Sequence, residues 1–382
     1  MALIDFIAAV AGKLVLSVFL GFVAIVTPLL PPPSSPAVIP QANTSVPPPA
    51  IATSTTKVAV ETQKPKPKPD TIQNPPPPPP PAAPAVQPPT APAPALPSAV
   101  PTGSSVNDVA RASIVNILCT TKNDGALHPL TASGVFIDSR GVILTNAHVG
   151  QYLLLKNYLT PNFVECVART GNPAYPRYKL GLLHISSEWV RDNASQIDAT
   201  NPLGTGENDF ALLYVIGSTN PNEKLPESFP SAALDSSENT LAIGVSTLLA
   251  AYPAGFLGGT TVQRDLYLAS AETTIKEVYT FGTTSIDVIS IGGSVVAQKG
   301  SSGGGVFSVL GRLLAVISTS SEGSTTDIRD LHAITLAHID RSLREHDGTS
   351  LFTILSGNIP DQAAAFAATT APTLTKLLTD QL

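Results

Sequence analysis

An all-β globular part, reached through an apolar N-terminal run and a long proline-rich segment, is what the 382-residue sequence predicts. Three observations carry that reading. Of the 37 prolines, 25 fall between Pro31 and Pro101, and a stretch so poor in amide donors builds no hydrogen-bonded core. From Asn107 onward, short β-branched and apolar runs alternate with Gly, Pro, Asn and Ser, the pattern of strands in a sandwich or barrel. Helical periodicity is strong only late, over 334–346 (ITLAHIDRSLREH).

Taken in chain order, residues 14–30 (LVLSVFLGFVAIVTPLL) carry no charge. With the apolar stretch before Lys13 they are long enough to cross a bilayer as a tilted helix. Lys13 lies near the start and no Lys or Arg follows until Lys57, so the expected N-terminus is cytoplasmic and everything beyond Leu30 extracytoplasmic, in a periplasm or at a cell surface. A cleaved signal peptide is the alternative; no small-x-small site follows Leu30, and both readings export the chain. Residues 31–103 read as a disordered polyproline-type stalk, including KPKPKP at 64–69 and seven prolines at 75–81. At full extension such a spacer reaches on the order of 200 Å. A docking strip for Pro-binding modules is the competing reading.

Strands are expected at 113–121 (SIVNILCTT), 133–138 (SGVFID) and 142–145 (VILT), with a Ser139-Arg140-Gly141 turn between the last two. Further strands are expected at 210–216, 241–250, 285–291, 305–310 and 313–319. The formal net charge of −6, without a basic cluster, leaves no electrostatic footprint for nucleic acid. Two cysteines, Cys119 and Cys166, exclude a disulfide scaffold and a four-cysteine zinc site, and no metal or cofactor is expected. In an exported chain the pair is expected to bridge, bracing the first lobe beside His148; two separate buried thiols are the alternative.

Three segments carry chemistry. They are TNAHV with His148 at a strand end, ENDFALL with Asp209 opening a strand, and GSSGGG with Ser302 between glycines. Nucleophilic hydrolysis needs an alcohol, an imidazole to take its proton and a carboxylate to hold the imidazole's tautomer. A glycine-rich loop adds unobstructed amides for an oxyanion.

The stretches SGVFIDSRGVILTNAHV, DFALL and GSSGGGVFSVLGRLLAVIST, with AAYPAG at 250–255, resemble the trypsin-like (chymotrypsin-fold) serine proteases, nearest the Deg/HtrA type. The resemblance runs from about Ser113 to Thr319 and treats 150–206 as an insertion. It implies two Greek-key six-stranded β-barrels and a C-terminal helix. It also implies Ser302 as nucleophile, His148 as general base and acid, Asp209 as orienting carboxylate, and the amides of Gly300 and Ser302 as oxyanion hole. By the family's count the first-subsite pocket falls at Val296, Val316 and Ser318. That stretch holds no acid, which implies a small or medium aliphatic residue before the cut. Ser301 stands where the trypsin branch has Asp, so activation by an inserted N-terminus is not implied. Gly305 replaces the usual Pro after Ser-Gly-Gly, and no PDZ-sized region is expected in the 63 residues after Thr319.

The expected organisation is therefore a transmembrane anchor at 1–30, a stalk at 31–103, a protease domain at 104–348 and a tail at 349–382. The expected partners are protein or peptide substrates, and the membrane through the N-terminal helix. Two rivals remain. Gly300 to Gly304 also fits the G-x-S-x-G elbow of α/β-hydrolases, with Asp327 and His332 completing a triad. The other rival is a catalytically inactive, membrane-tethered binding protein on the same fold.

Overall fold

The computed structural model describes residues 105–122, 127–199, 205–282, 284–320 and 325–382. All belong to the compact unit Pro89–Leu382. The expected anchor at 1–30 and stalk at 31–103 lie outside the described residues. Among the described residues no helix is long and apolar enough to cross a membrane.

Helix α1 (Val106–Ser113) opens the domain with a capping box, in which Ser105 and Asp108 satisfy each other's backbone amides. Six strands follow: β1 (Ile114–Thr121), β2 (Leu130–Asp138), β3 (Val142–Thr145), β4 (Val164–Thr170), β5 (Tyr175–Ile185) and β6 (Ala211–Ser218). They close into a barrel in the order β1-β2-β3-β6-β5-β4. Between β3 and β4 runs α2 (Ala147–Leu154), and after β5 comes α3 (Ser187–Asn193). The supposed insertion is thus part of the barrel: β4 and β5 close it and cannot be removed. Their sequence hides this. β5 reads YPRYKLGLLHI and exposes most of its first half, so the alternation that marks a strand is blurred. Cys119 and Cys166 face each other in the β1–β4 register and are joined by a disulfide, with Cα atoms 4.0 Å apart.

The second lobe departs from the expected six-stranded barrel. Its strands are β7 (Ala233–Leu234), β8 (Ser246–Ala251), β9 (Ala269–Thr274), β10 (Glu277–Tyr279), β11 (Val288–Gly292), β12 (Gly305–Ser308), β13 (Arg312–Ser320) and β14 (Leu331–Thr335). They form an eight-stranded sheet in the order β10-β11-β14-β13-β12-β8-β9, with β7 added on β13. A break at Ile275 is the reason. The residues before it pair with β8, whereas those after it pair with β11. The Ile275 amide itself turns back to the Val245 carbonyl. The sheet therefore curls into a half-barrel without a continuous β9–β11 ladder. The β8–β9 loop carries α4 (Gly259–Arg264).

Helix α5 (Leu336–His346) matches the late periodicity and is capped by Thr335. The expected tail is three more helices, α6 (Leu351–Ser356), α7 (Ile359–Thr369) and α8 (Ala371–Thr379). They return to the barrel, where Leu374 and Leu378 join the core beneath α2. A separate core of Leu144, Phe210, Tyr252, Phe307 and Ile334 lies between the lobes.

Candidate active site

His148 stands in the first turn of α2, directly after β3 delivers the chain to the lobe interface. Asp209 stands two residues before β6, the strand paired with β3. Strand pairing thus brings together two residues that are 61 apart in sequence. The carboxylate is held from several sides. Oδ2 lies 2.8 Å from His148 Nδ1 and accepts the Ser318 hydroxyl at 2.7 Å. Oδ1 accepts the His148 backbone amide at 2.9 Å, and the Asn146 side chain donates to the Asp209 carbonyl at 2.9 Å. The preceding residue, Asn208, takes a left-handed φ of 58°, and its side chain accepts the Ser342 hydroxyl of α5.

The electrostatics follow from that packing. Burial opposes the imidazolium of His148, but the charge and hydrogen bond of Asp209 outweigh it and raise the His148 pKa above its ordinary value. Burial likewise opposes the Asp209 carboxylate. The His148 charge, the two His148 hydrogen bonds and the Ser318 hydroxyl prevail and hold its pKa low. With Nδ1 committed to Asp209, Nε2 is the nitrogen left to handle a proton.

Ser302 comes from the other lobe, on the loop between β11 and β12. Its backbone carbonyl accepts the Ser133 amide of β2 at 2.7 Å, which pins the loop to the barrel. Its hydroxyl donates to the Ser318 carbonyl at 3.5 Å, and among the described residues no hydrogen bond joins it to His148. Such catalytic contacts commonly tighten only when substrate is bound. Ser318 therefore touches both halves of the site, its hydroxyl on Asp209 and its carbonyl under Ser302.

The loop backbone is set by glycine. Gly300 has φ 93° and Gly303 φ 83°. A Cβ on Gly303 would fall 2.0 Å from the Ser133 carbonyl oxygen, and one on Gly300 would fall 2.8 Å from that of Tyr252. Ser133 Oγ donates to the Gly300 carbonyl at 2.8 Å and fixes that peptide. The amides of Gly300 and Ser302 have no acceptor among the described residues and stand available for a developing oxyanion. Ser301 is buried and donates to the Val296 carbonyl at 2.5 Å.

The structure brings His148 and Asp209 into contact, with Ser302 sharing Ser318 beside them. Val296 and Val316 are 0% and 1% exposed, packed in the cores, and Ser318 is committed to Asp209. Val296 lies on the loop between β11 and β12, and Val316 and Ser318 lie on β13. Ser133 and Asn146 were missed, since one lies in an ordinary strand and the other in the motif as a mere flank. The hydrolase alternative fails on geometry: His332 bonds Asp330 at 3.1 Å, and the chain is a β-barrel with a half-barrel. Among the described residues no cluster of His, Cys, Asp or Glu is placed to hold a metal ion.

Residues 132–316 match the family model of the trypsin-like peptidase domain. This stretch resembles a trypsin-like peptidase domain. Similar solved structures include Deg5, at 16% identity and a TM-score of 0.40, covering 62% of this chain and 89% of that one. The active form of the Rv3671c protease from M. tuberculosis is 17% identical with a TM-score of 0.40, covering 70% of this chain and 96% of its own. The HtrA-type protease AlgW with tripeptide is 17% identical with a TM-score of 0.39, covering 64% of each chain. No curated protein sequence matches. The matched stretch holds the whole of the His148, Asp209 and Ser302 set.

Proposed function

We propose that this chain is a serine endopeptidase that cuts peptide bonds through an acyl-enzyme on Ser302. The observation that carries the reading is the buried Asp209 clamping His148 by Nδ1 while the Gly300 and Ser302 amides stay open. In that mechanism Ser302 Oγ attacks the scissile carbonyl and gives its proton to His148 Nε2. The oxyanion forms against the two amides. His148 then returns the proton to the leaving amine, and a water repeats the sequence to release the acyl group. Asp209 stays ionised throughout, stabilising the imidazolium. The test is a serine-reactive phosphonate with unfolded casein as substrate. Wild type should label at Ser302 and digest casein, and Ser302→Ala should lose at least about 10³-fold in turnover. An Ala variant as fast as wild type would sink the assignment. A folded wild type that neither labels nor cuts would favour the binding-protein alternative.

We infer further that the domain is tethered outside the cytoplasm by the apolar run at 14–30, on a stalk of residues 31–103. The charge asymmetry around Lys13 supports this orientation. Protease added to intact cells should release a soluble fragment starting within 31–103. A domain protected inside the cell would refute it.

A further inference from the structure

Arg169 on β4 is fully buried, yet no carboxylate pairs with it among the described residues. Its Nε donates to Asn116 Oδ1 at 2.7 Å, and Nη1 donates to the carbonyls of Val262 and Gln263 at 2.8 and 3.1 Å. Those carbonyls belong to the last turn of α4, in the β8–β9 loop of the other lobe. Nη2 has no partner. Taking a guanidinium out of water without a counter-charge is costly, and an apolar residue would serve stability at least as well. What the charge provides here is a fixed geometry between the lobes.

The neighbouring residues of the same β4–β5 hairpin hold the same loop. Tyr252 Oη donates to the Gly171 carbonyl at 2.7 Å, the Leu268 amide to Asn172 Oδ1 at 2.9 Å, and the Ala174 amide to the Leu266 carbonyl at 2.8 Å. The loop is thus clasped at its start, middle and end. Its start also borders the oxyanion loop. The Ala254 amide donates to the Lys299 carbonyl at 2.7 Å. The Tyr252 amide donates at 2.9 Å to Ser133 Oγ, the hydroxyl that in turn holds the Gly300 carbonyl. The Tyr252 carbonyl and Ala254 leave no room for a side chain on Gly300.

We propose that the β4–β5 hairpin acts as a clasp, with Arg169 and Tyr252 as positioning residues that set the oxyanion hole across the lobe interface through the 252–268 loop. The inference rests on the peptidase reading above. Its consequence is that a barrel hairpin carrying no reacting group governs how well the Gly300 and Ser302 amides meet the oxyanion. Donors displaced by a fraction of an ångström lose much of their effect in the transition state and little in ground-state binding.

The test uses the full chain with a peptidyl ester and its thionoester, in which sulfur replaces the carbonyl oxygen. Sulfur is a poor acceptor for a hole shaped to oxygen, so the oxygen-to-sulfur rate ratio reports the hole itself. Arg169→Met and Tyr252→Phe should each lower kcat on the ester by about tenfold, less than the 10²–10³ lost when an oxyanion donor is removed outright. KM should change little, and the oxygen-to-sulfur ratio should fall with kcat. If Arg169→Met does not fold, Tyr252→Phe, which deletes one oxygen, decides alone. Unchanged kcat, or ester and thionoester rates falling in parallel, would overturn the clasp while leaving the peptidase reading intact. Wild type inactive on both esters and unlabelled by phosphonate would instead remove the peptidase reading and the clasp with it.

Discussion

The closed barrel holds its part of the site with side chains, whereas the half-barrel presents its part on nearly bare backbone. Asp209 is gripped by His148 of the barrel and by Ser318 from β13 of the second lobe, and its neighbour Asn208 by Ser342 of α5. Ser302 sits in a loop whose shape depends on Gly300 and Gly303 at positive φ. The barrel also has a complete ring of strand pairs, with a disulfide across one seam, while the second sheet is broken at Ile275. The difference teaches where each kind of precision comes from. An acid–base pair needs a rigid, shielded carboxylate, which the barrel's own His148 and the Ser318 hydroxyl reaching across from the second lobe supply together. An oxyanion hole needs amides with nothing in front of them, which only glycine-rich backbone leaves open. The second arrangement has little stiffness of its own, so contacts from the barrel such as Ser133 must supply it.

The largest break in that comparison is to silence the barrel's contribution. Asp209→Asn should reduce kcat/KM by about 10³–10⁴-fold without unfolding the domain, because the amide no longer holds the correct imidazole tautomer. The pH profile sharpens the point. In wild type, His148 must be neutral to act, so kcat/KM should rise with pH along an acid limb above the ordinary imidazole value of about 6.5. In Asp209→Asn the raising cause is gone and burial remains, so the residual limb should move to lower pH. A limb that stays in place would show that Asp209 does not control His148. The same raised pKa stabilises the fold, fully below the unfolded imidazole's pKa and progressively less as pH climbs through the folded value.

Next in size is the seam. Cys119 and Cys166 are separated by 47 residues. On the chain-entropy account, replacing both by Ser should cost about 4 kcal/mol, measured by urea unfolding. Because the bridge lies on β1 and β4, away from Ser302, phosphonate labelling of the still-folded variant should persist. Labelling lost while the fold is retained would mean that the seam and the site are more tightly coupled than their places suggest.

The smallest expected effect concerns the residue shared by both lobes. Ser318→Ala removes one hydroxyl from Asp209 Oδ2 and leaves the Ser318 carbonyl in place under Ser302. A hydrogen bond to a charged group contributes about 1.5–3 kcal/mol, so kcat/KM should fall on the order of tenfold to a hundredfold. The pair His148→Ala and Ser318→Ala should be strongly non-additive, since without the imidazole the orientation of Asp209 no longer matters. Additive losses would place the role of Ser318 elsewhere.

Much of the architecture was legible because strands of the barrel and half-barrel alternate or run apolar between turn residues. β1, β3, β6 and β13 each lie within a residue or two of their expected limits. β5 escaped because its exposed positions carry Tyr, Pro, Arg and Lys, and the tail, helical in character from its sequence, shows too little periodicity to fix the limits of α6 to α8. The residues by themselves determined the chemistry on offer: an imidazole at a strand end, a carboxylate opening a strand, and an alcohol among glycines. Local pattern suffices for that, since strand ends and glycine turns are written within a few positions. Only the tertiary structure decided which side chains meet across long separations. Ser318 on Asp209, Ser133 on Gly300 and Arg169 on the 252–268 loop all join residues about a hundred or more apart, or residues of different lobes. No sequence window contains both partners of such a contact. Pairing, register and the inward or outward turn of each strand exist only once the sheets have closed and packed.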